Sequence, residues 1–213
     1  MTGGLHAELV GALGASLVAA LGYLAAWFRR KTRVEAVRSG FVSHALLTDG
    51  LRRLARRVRA ERTQLVRAHN GGHTPQPGRA LYVSIVGEWV EGDLPFQAPE
   101  FQQAAVDGAY ILDVLMPLVS AGEVRLTPAE LHDGSMLADL YESNGVAEAD
   151  VWLLGADPAS QSLYFFAVQW TDSSARPDDA TVRTELRATR ERINDHLSMR
   201  IEPVSLLAGK SKP

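Results

Sequence analysis

The spacing of apolar and polar positions changes several times along the chain, and each change marks an element. From Leu9 to Phe28 there are 20 consecutive residues without a formal charge. As an α-helix this run rises about 30 Å, the thickness of a bilayer's hydrocarbon core. Its apolar residues lie on all sides, so lipid or a protein core must surround it. Tyr23, Trp27 and Phe28 gather at its downstream end, where amphipathic rings favour an interface. The pattern predicts a leader over 1–8, one transmembrane helix over 9–28 and a basic juxtamembrane connector over 29–40. A cleaved signal peptide places its charge before the apolar run. Here the leader holds His6 and Glu8, and Arg29, Arg30, Lys31 and Arg33 come after.

Downstream, Leu47, Leu51, Leu54, Ala55 and Val58 form one helical stripe. Gln64–His69 reads as a strand running into the loop Asn70-Gly71-Gly72, which continues through Gly78. Leu81, Val83, Ile85, Gly87 and Trp89 alternate as one face of a second strand. Pro95 and Pro99 bracket a loop, and Phe101–Met116 has helical spacing. Glu123–Leu126 predicts a short strand. Asp133-Gly134-Ser135 opens a helix through Ser143, which Asn144-Gly145 ends. Val151–Leu154 and Leu163–Trp170 are apolar strands joined as a hairpin, central in the sheet with both faces covered. Asp178–Met199 predicts a last helix, with Val182, Leu186, Ile193 and Leu197 in one row. The order is helix, two strands, helix, strand, helix, hairpin, helix. It implies an α+β domain over 41–200 with a mainly antiparallel central sheet flanked by helices, its first and last helices side by side. Residues 201–213 read as a tail.

Charge adds the next layer. The whole chain has a formal net charge of −3, but residues 29–67 carry 12 Lys/Arg against 3 Asp/Glu, and residues 68–213 carry 10 against 21. The positive-inside rule therefore places the C-terminal domain in the cytoplasm and the N-terminus outside. Arg29, Arg30, Lys31 and Arg33, followed by Arg52, Arg53, Arg56 and Arg57, suit contact with an anionic lipid bilayer, at about 1 kcal/mol per charge near the surface. A solvated helix face explains the later arginines as well. No aromatic interleaving or binding motif favours nucleic acid. Rows of small residues, Gly11, Ala15 and Ala19 with Gly22 and Ala26, allow close helix approach and hence a homodimer.

The runs Arg67-Ala68-His69-Asn70-Gly71-Gly72, Tyr82-Val83-Ser84-Ile85, Leu137 through Val146 and Phe166-Ala167-Val168-Gln169-Trp170 carry a likeness. Together they resemble the GAF-like sensor fold (GAF/PAS-like), over about residues 41–200. The chain also looks like small membrane-anchored GAF-like proteins of bacteria and their phages, in which a His-Asn-Gly-Gly run follows the first strand. The resemblance implies a pocket on one face of the sheet, used for small ligands in sensors and often empty in scaffolding members. With the uncharged run 9–28 and the basic cluster after it, the expectation is an inner-membrane, single-pass protein. This chain lacks the Asn-Lys…Phe…Asp-Glu constellation of cyclic-nucleotide binders, and without cysteine it holds no bilin covalently. No cofactor is named by the resemblance.

Absent cysteine also excludes a disulfide scaffold, a cysteine nucleophile and thiolate zinc sites. His69 and His73 flank the Gly-Gly loop, and a metal there would need Glu88 or His132 as a third ligand. A loop whose Asn70 and glycines make the turn explains the same residues. Glu88, Glu91 and Asp93 invite a paired-carboxylate reading, which a solvated strand end matches equally. HExxH, GxSxG, GxGxxG and EF-hand patterns are missing, and Gly209-Lys210-Ser211 has Val204 where a phosphate loop needs glycine. No catalytic or metal-binding residue is assigned. The expected ligand pocket is His69, Asn70, Gly71, Gly72, His73, Ser84 and Glu88. The expected function is a membrane-anchored sensory, signalling module that binds a ligand or partner and acts through a separate output protein. The alternative is a membrane-attached structural or phage-encoded accessory protein with a vestigial pocket.

Overall fold

The computed structural model describes residues 42–70, 80–157 and 162–197. The expected leader, transmembrane run 9–28, connector 29–40, Gly71–Gly78 loop, 158–161 turn and tail 201–213 lie outside the described residues. The chain divides into units Met1–Ser43 and His44–Pro213, and the second carries the fold. Among the described residues no helix is long and apolar enough to cross a membrane.

Helix α1 covers residues 42–58. Strands β1 (Arg62–His69) and β2 (Tyr82–Val90) follow, two residues longer at the start of β1 than the apolar pattern suggests. A two-residue strand β3 (Ala104–Ala105) precedes helix α2, over residues 108–121. Strand β4 (Glu123–Leu126), helix α3 (Met136–Ser143), strands β5 (Glu148–Asp157) and β6 (Ser162–Trp170), and helix α4 (Asp179–Leu197) complete the domain. The strands form one sheet in the order β3-β2-β1-β6-β5-β4, antiparallel at every pairing. The apolar hairpin is interior, as its unbroken hydrophobic runs require.

Two apolar cores form because both sheet faces are covered. On one face α1 and α4 pack Leu47, Leu51, Leu54, Val58, Val182, Leu186 and Ile193 against Leu65, Phe166, Val168 and Trp170. The two helices meet where Gly50 faces Ile193: a Cβ there would lie 3.6 Å from Ile193 Cγ1, an ordinary contact distance. On the other face α2 and α3 supply Tyr110, Val114, Leu118, Leu137 and Tyr141 against Val66, Ala68, Val83, Val151 and Phe165.

The expected helix over Phe101–Met116 is corrected. Gln103 takes a left-handed φ of 57°, and Ala104–Ala105 pair with Tyr82 and Val83. The helix starts only at Gly108, because Asp107 caps it by accepting from the Tyr110 N–H at 2.7 Å. Inside α2, Pro117 has no N–H and its ring would crowd the carbonyl of Asp113. The helix widens to π geometry over Ile111–Leu115, where Met116 N–H donates to the Ile111 carbonyl. Helix α3 keeps its expected start and stop: Ser135 accepts from Ala138 N–H at 3.1 Å, and Gly145 has a φ of 62°.

Candidate functional site

Strand alternation and a bulge decide which residues meet. In β1, Val66 and Ala68 face α2 and α3, while Leu65 faces α1 and α4, so His69 shares the face of Leu65. Against β1, Leu65 pairs with Gly87 but Val66 pairs with Ile85, which leaves Val86 as an extra residue. The bulge reverses the alternation of β2. Leu81, Val83 and Ile85 pack toward α2 and α3, but Val86 and Trp89 pack toward α1 and α4. The single apolar face expected for Leu81–Trp89 is thus two half-faces.

The expected pocket set is split by the same rule. His69 and Ser84 come together on the α1/α4 face, with Nε2 and Oγ 3.0 Å apart, and Ser84 Oγ also accepts from Gln103 N–H at 3.0 Å. The His69 ring stacks on Tyr82 with centroids 6.0 Å apart. Asn70, the next residue, is also buried, whereas Gly71, Gly72 and His73 lie outside the described residues. Glu88 falls on the opposite face, so His69 and Glu88 share no site. Among the described residues no three His, Asp or Glu side chains gather to hold a metal. Glu91 is exposed and accepts from Trp89 Nε1, and Asp93 is exposed, so neither joins Glu88.

Glu88 instead anchors a buried polar network. Its Oε1 lies 3.2 Å from Arg62 Nε, and both side chains are at most 2% exposed. Its oxygens accept from Gln97 N–H at 3.0 and 3.1 Å, Ala98 N–H at 2.8 Å and Gln64 Nε2 at 2.9 Å. Arg62 donates to Gln169 Oε1 at 2.8 Å, the Pro95 carbonyl at 2.7 Å and Asn144 Oδ1 at 3.2 Å. Burial pulls the Arg62 guanidinium below its ordinary pKa, against the opposing pull of Glu88.

Beside this network lies a cavity of about 40 Å³ between the sheet, α2, α3 and the 97–101 segment. Gln64, Gln97, Gln169, Tyr110 and Tyr141 line it among Val66, Val83, Phe101, Val114, Leu137, Leu140 and Phe165. Glu88 and Arg62 back the wall without lining it. Burial raises both tyrosine phenols far above their ordinary pKa; Tyr110 raises Tyr141 further, and Arg62 opposes it. Gln97 is 2% exposed, and its Nε2 has no hydrogen-bond partner. Sequence reasoning missed Arg62, Gln64, Gln97 and Gln169. The available signal was a polar residue beside apolar ones inside a strand, as Gln64 before Leu65-Val66 and Gln169 between Val168 and Trp170.

The basic helix is exposed as its sequence suggests. Arg56 and Arg57 face solvent, Arg53 and Arg52 both bond Asp49, and the Arg52 guanidinium sits 5.9 Å from the Trp89 ring centre. Arg29, Arg30, Lys31 and Arg33 lie outside the described residues. At the opposite sheet edge, Arg125, Arg176 and Arg183 border a groove of about 380 Å³. Each is paired: Arg125 and Arg176 with Asp150 and Asp179, Arg183 with Glu123.

No protein-family model and no curated protein matches the chain. Solved structures do. The blue-light absorbing form of the Thermosynechococcus elongatus PixJ GAF domain superposes with a TM-score of 0.52 at 8% identity, covering 80% of this chain and 94% of that one. The phycocyanobilin-bound GAF domain of a cyanobacterial phytochrome gives 0.50 at 10% identity, covering 83% and 93%. The GAF domain region of a Geobacter sulfurreducens PCA protein gives 0.50 at 7% identity, covering 77% and 98%.

Proposed function

We propose, with the GAF-like fold as premise, that this chain is a sensory module that binds a small ligand or partner group in the cavity under α2 and α3. The carrying observation is buried Gln97, which lines that cavity and whose side-chain Nε2 has no hydrogen-bond partner. The pocket reading thereby moves from His69, Ser84 and Glu88 to Gln64, Gln97 and Gln169. A signal has a short path. Val66 and Phe165 touch the cavity, and their strand neighbours Leu65 and Phe166 carry α1 and α4 on the reverse face. A ligand that displaces the first pair changes the seat of both helices.

The module sits at the cytoplasmic face of a membrane, held by the uncharged run 9–28, with Arg29–Arg33 and the exposed Arg56 and Arg57 toward lipid headgroups. Self-association through the small-residue rows of that run and through the terminal helices makes a homodimer, and output passes through another protein. A second reading, a structural or phage-encoded accessory protein, is favoured by one fact: about 40 Å³ is far below the roughly 300–1,000 Å³ of ordinary ligand pockets.

The deciding experiment is mass spectrometry of small molecules released on denaturing the purified full chain. A stoichiometric compound supports the sensor. An empty extract, with no melting shift across neutral metabolites, favours the structural reading.

A further inference from the structure

The hydrogen bonds around Glu88 fix more than a fold. Gln64 Nε2 has two hydrogens and spends them on Glu88 Oε1 at 2.9 Å and Gln97 Oε1 at 2.9 Å. Gln64 must turn its nitrogen to the carboxylate, so Gln97 must turn its oxygen to Gln64. The Gln97 amide nitrogen is the group left over, and Gln97 lines the cavity. Two backbone N–H groups, of Gln97 and Ala98, bind the same carboxylate and hold this segment in place.

The wall is also uncharged. Arg62 and Glu88 are turned to one another and to their own partners, and neither lines the cavity. The polar residues that do line it are glutamines and tyrosines. A ligand carrying a full charge would lose its hydration and meet no counter-charge. A wholly apolar one would leave the Gln97 donor buried without an acceptor, a loss comparable with a broken hydrogen bond.

We infer that the cavity is a site for a small neutral molecule bearing one carbonyl-type acceptor, received by Gln97 Nε2, with its apolar part against Val66, Val83 and Phe165. This rests on the reading of the cavity as a ligand site. A water needs about 10–15 Å³ of such space, so about 40 Å³ admits only a few non-hydrogen atoms. A larger ligand enters only with displacement of α2 or α3.

Acetone, isobutene and acetate share one planar skeleton and differ in the acceptor and the charge. Each is titrated into the full chain while the Gln97 side-chain amide and the Val66 and Val83 methyl resonances are followed. Acetone is expected to move all three saturably, and acetate none. Replacing Gln97 by Leu, or by Met should the first variant fold poorly, is expected to weaken acetone roughly tenfold relative to isobutene. Acetate binding as tightly as acetone overturns the neutral-ligand assignment, as does an acetone-to-isobutene ratio that the variants leave unchanged. An amide resonance of wild-type Gln97 that acetone does not move overturns it without any variant. Should no probe perturb the cavity, the ligand-site reading itself falls with it.

Discussion

Glu88 shows how much one side chain can organise once register is set. It was visible in the sequence as a candidate carboxylate, but its partner Arg62 was not. Their approach depends on β1 and β2 pairing Gln64 with Glu88 and Arg62 with Val90. Glu88→Ala would leave Arg62 buried without its counter-charge and free the Gln97 and Ala98 N–H groups. We expect a loss of about 3–5 kcal/mol in urea unfolding. A double replacement by apolar residues, Arg62→Met with Glu88→Leu, should cost less than the single change, because no lone charge remains. His69 makes a second residue-scale test. Burial, and then the neighbouring Arg67 charge, hold its imidazole below the ordinary value of 6.5. The unfolded chain therefore binds this proton first. The contribution of His69 to stability is complete above pH 6.5 and falls as pH drops from there to its folded value, beneath which the loss stops. An NMR titration should place His69 below 6.5, and His69→Gln should flatten that part of the stability profile.

At the scale of elements, the bulge after Ile85 is the feature that apolar alternation missed. Five alternating residues from Leu81 to Trp89 fit one strand face, and nothing in a period of two announces an inserted residue. Gly87 was the one mark it left. A Cβ there would lie 2.5 Å from Leu47 Cδ2 and 2.9 Å from its Cγ, with Leu51 Cδ1 at 3.3 Å behind. Gly87→Ala should thus destabilise by about 1–3 kcal/mol, and a Leu47→Ala background should remove most of that cost. The start of α2 was misplaced for a related reason: Phe101 and Ala104 are apolar at helical spacing, yet Asp107 fixes the true N-terminus. Its carboxylate accepts from Tyr110 N–H and, at 3.0 Å, from Met136 N–H, joining the first turns of α2 and α3. Those bonds hold its pKa below the ordinary 3.8. The stability they give is whole above that value and is lost as pH falls through the folded pKa. Asp107→Asn should show a shallower acid unfolding curve than wild type, while Asp107→Ala should cost about 1–2 kcal/mol at neutral pH.

For the whole molecule, fold class was legible because patterning is a property of single segments. The helical stripe ending at Val58, the interior hairpin, the capped α3 and the last helix all follow from local periodicity. The candidate site was legible only in outline. Which face a residue joins depends on register across strands far apart in sequence, and so the His69 to Glu88 set divided while Gln64, Gln97 and Gln169 converged. The sheet order has a further consequence, for the newborn chain. Strand β1 lies between β2 and β6, and its Arg62 bonds Gln169, 107 positions later. At roughly 5–20 residues per second of synthesis, β1 waits about 5–20 s for the strand that covers its open flank. Throughout that interval it presents an unpaired hydrogen-bonding edge, so the nascent protein is exposed to chaperones and to neighbouring copies long before its cavity can close.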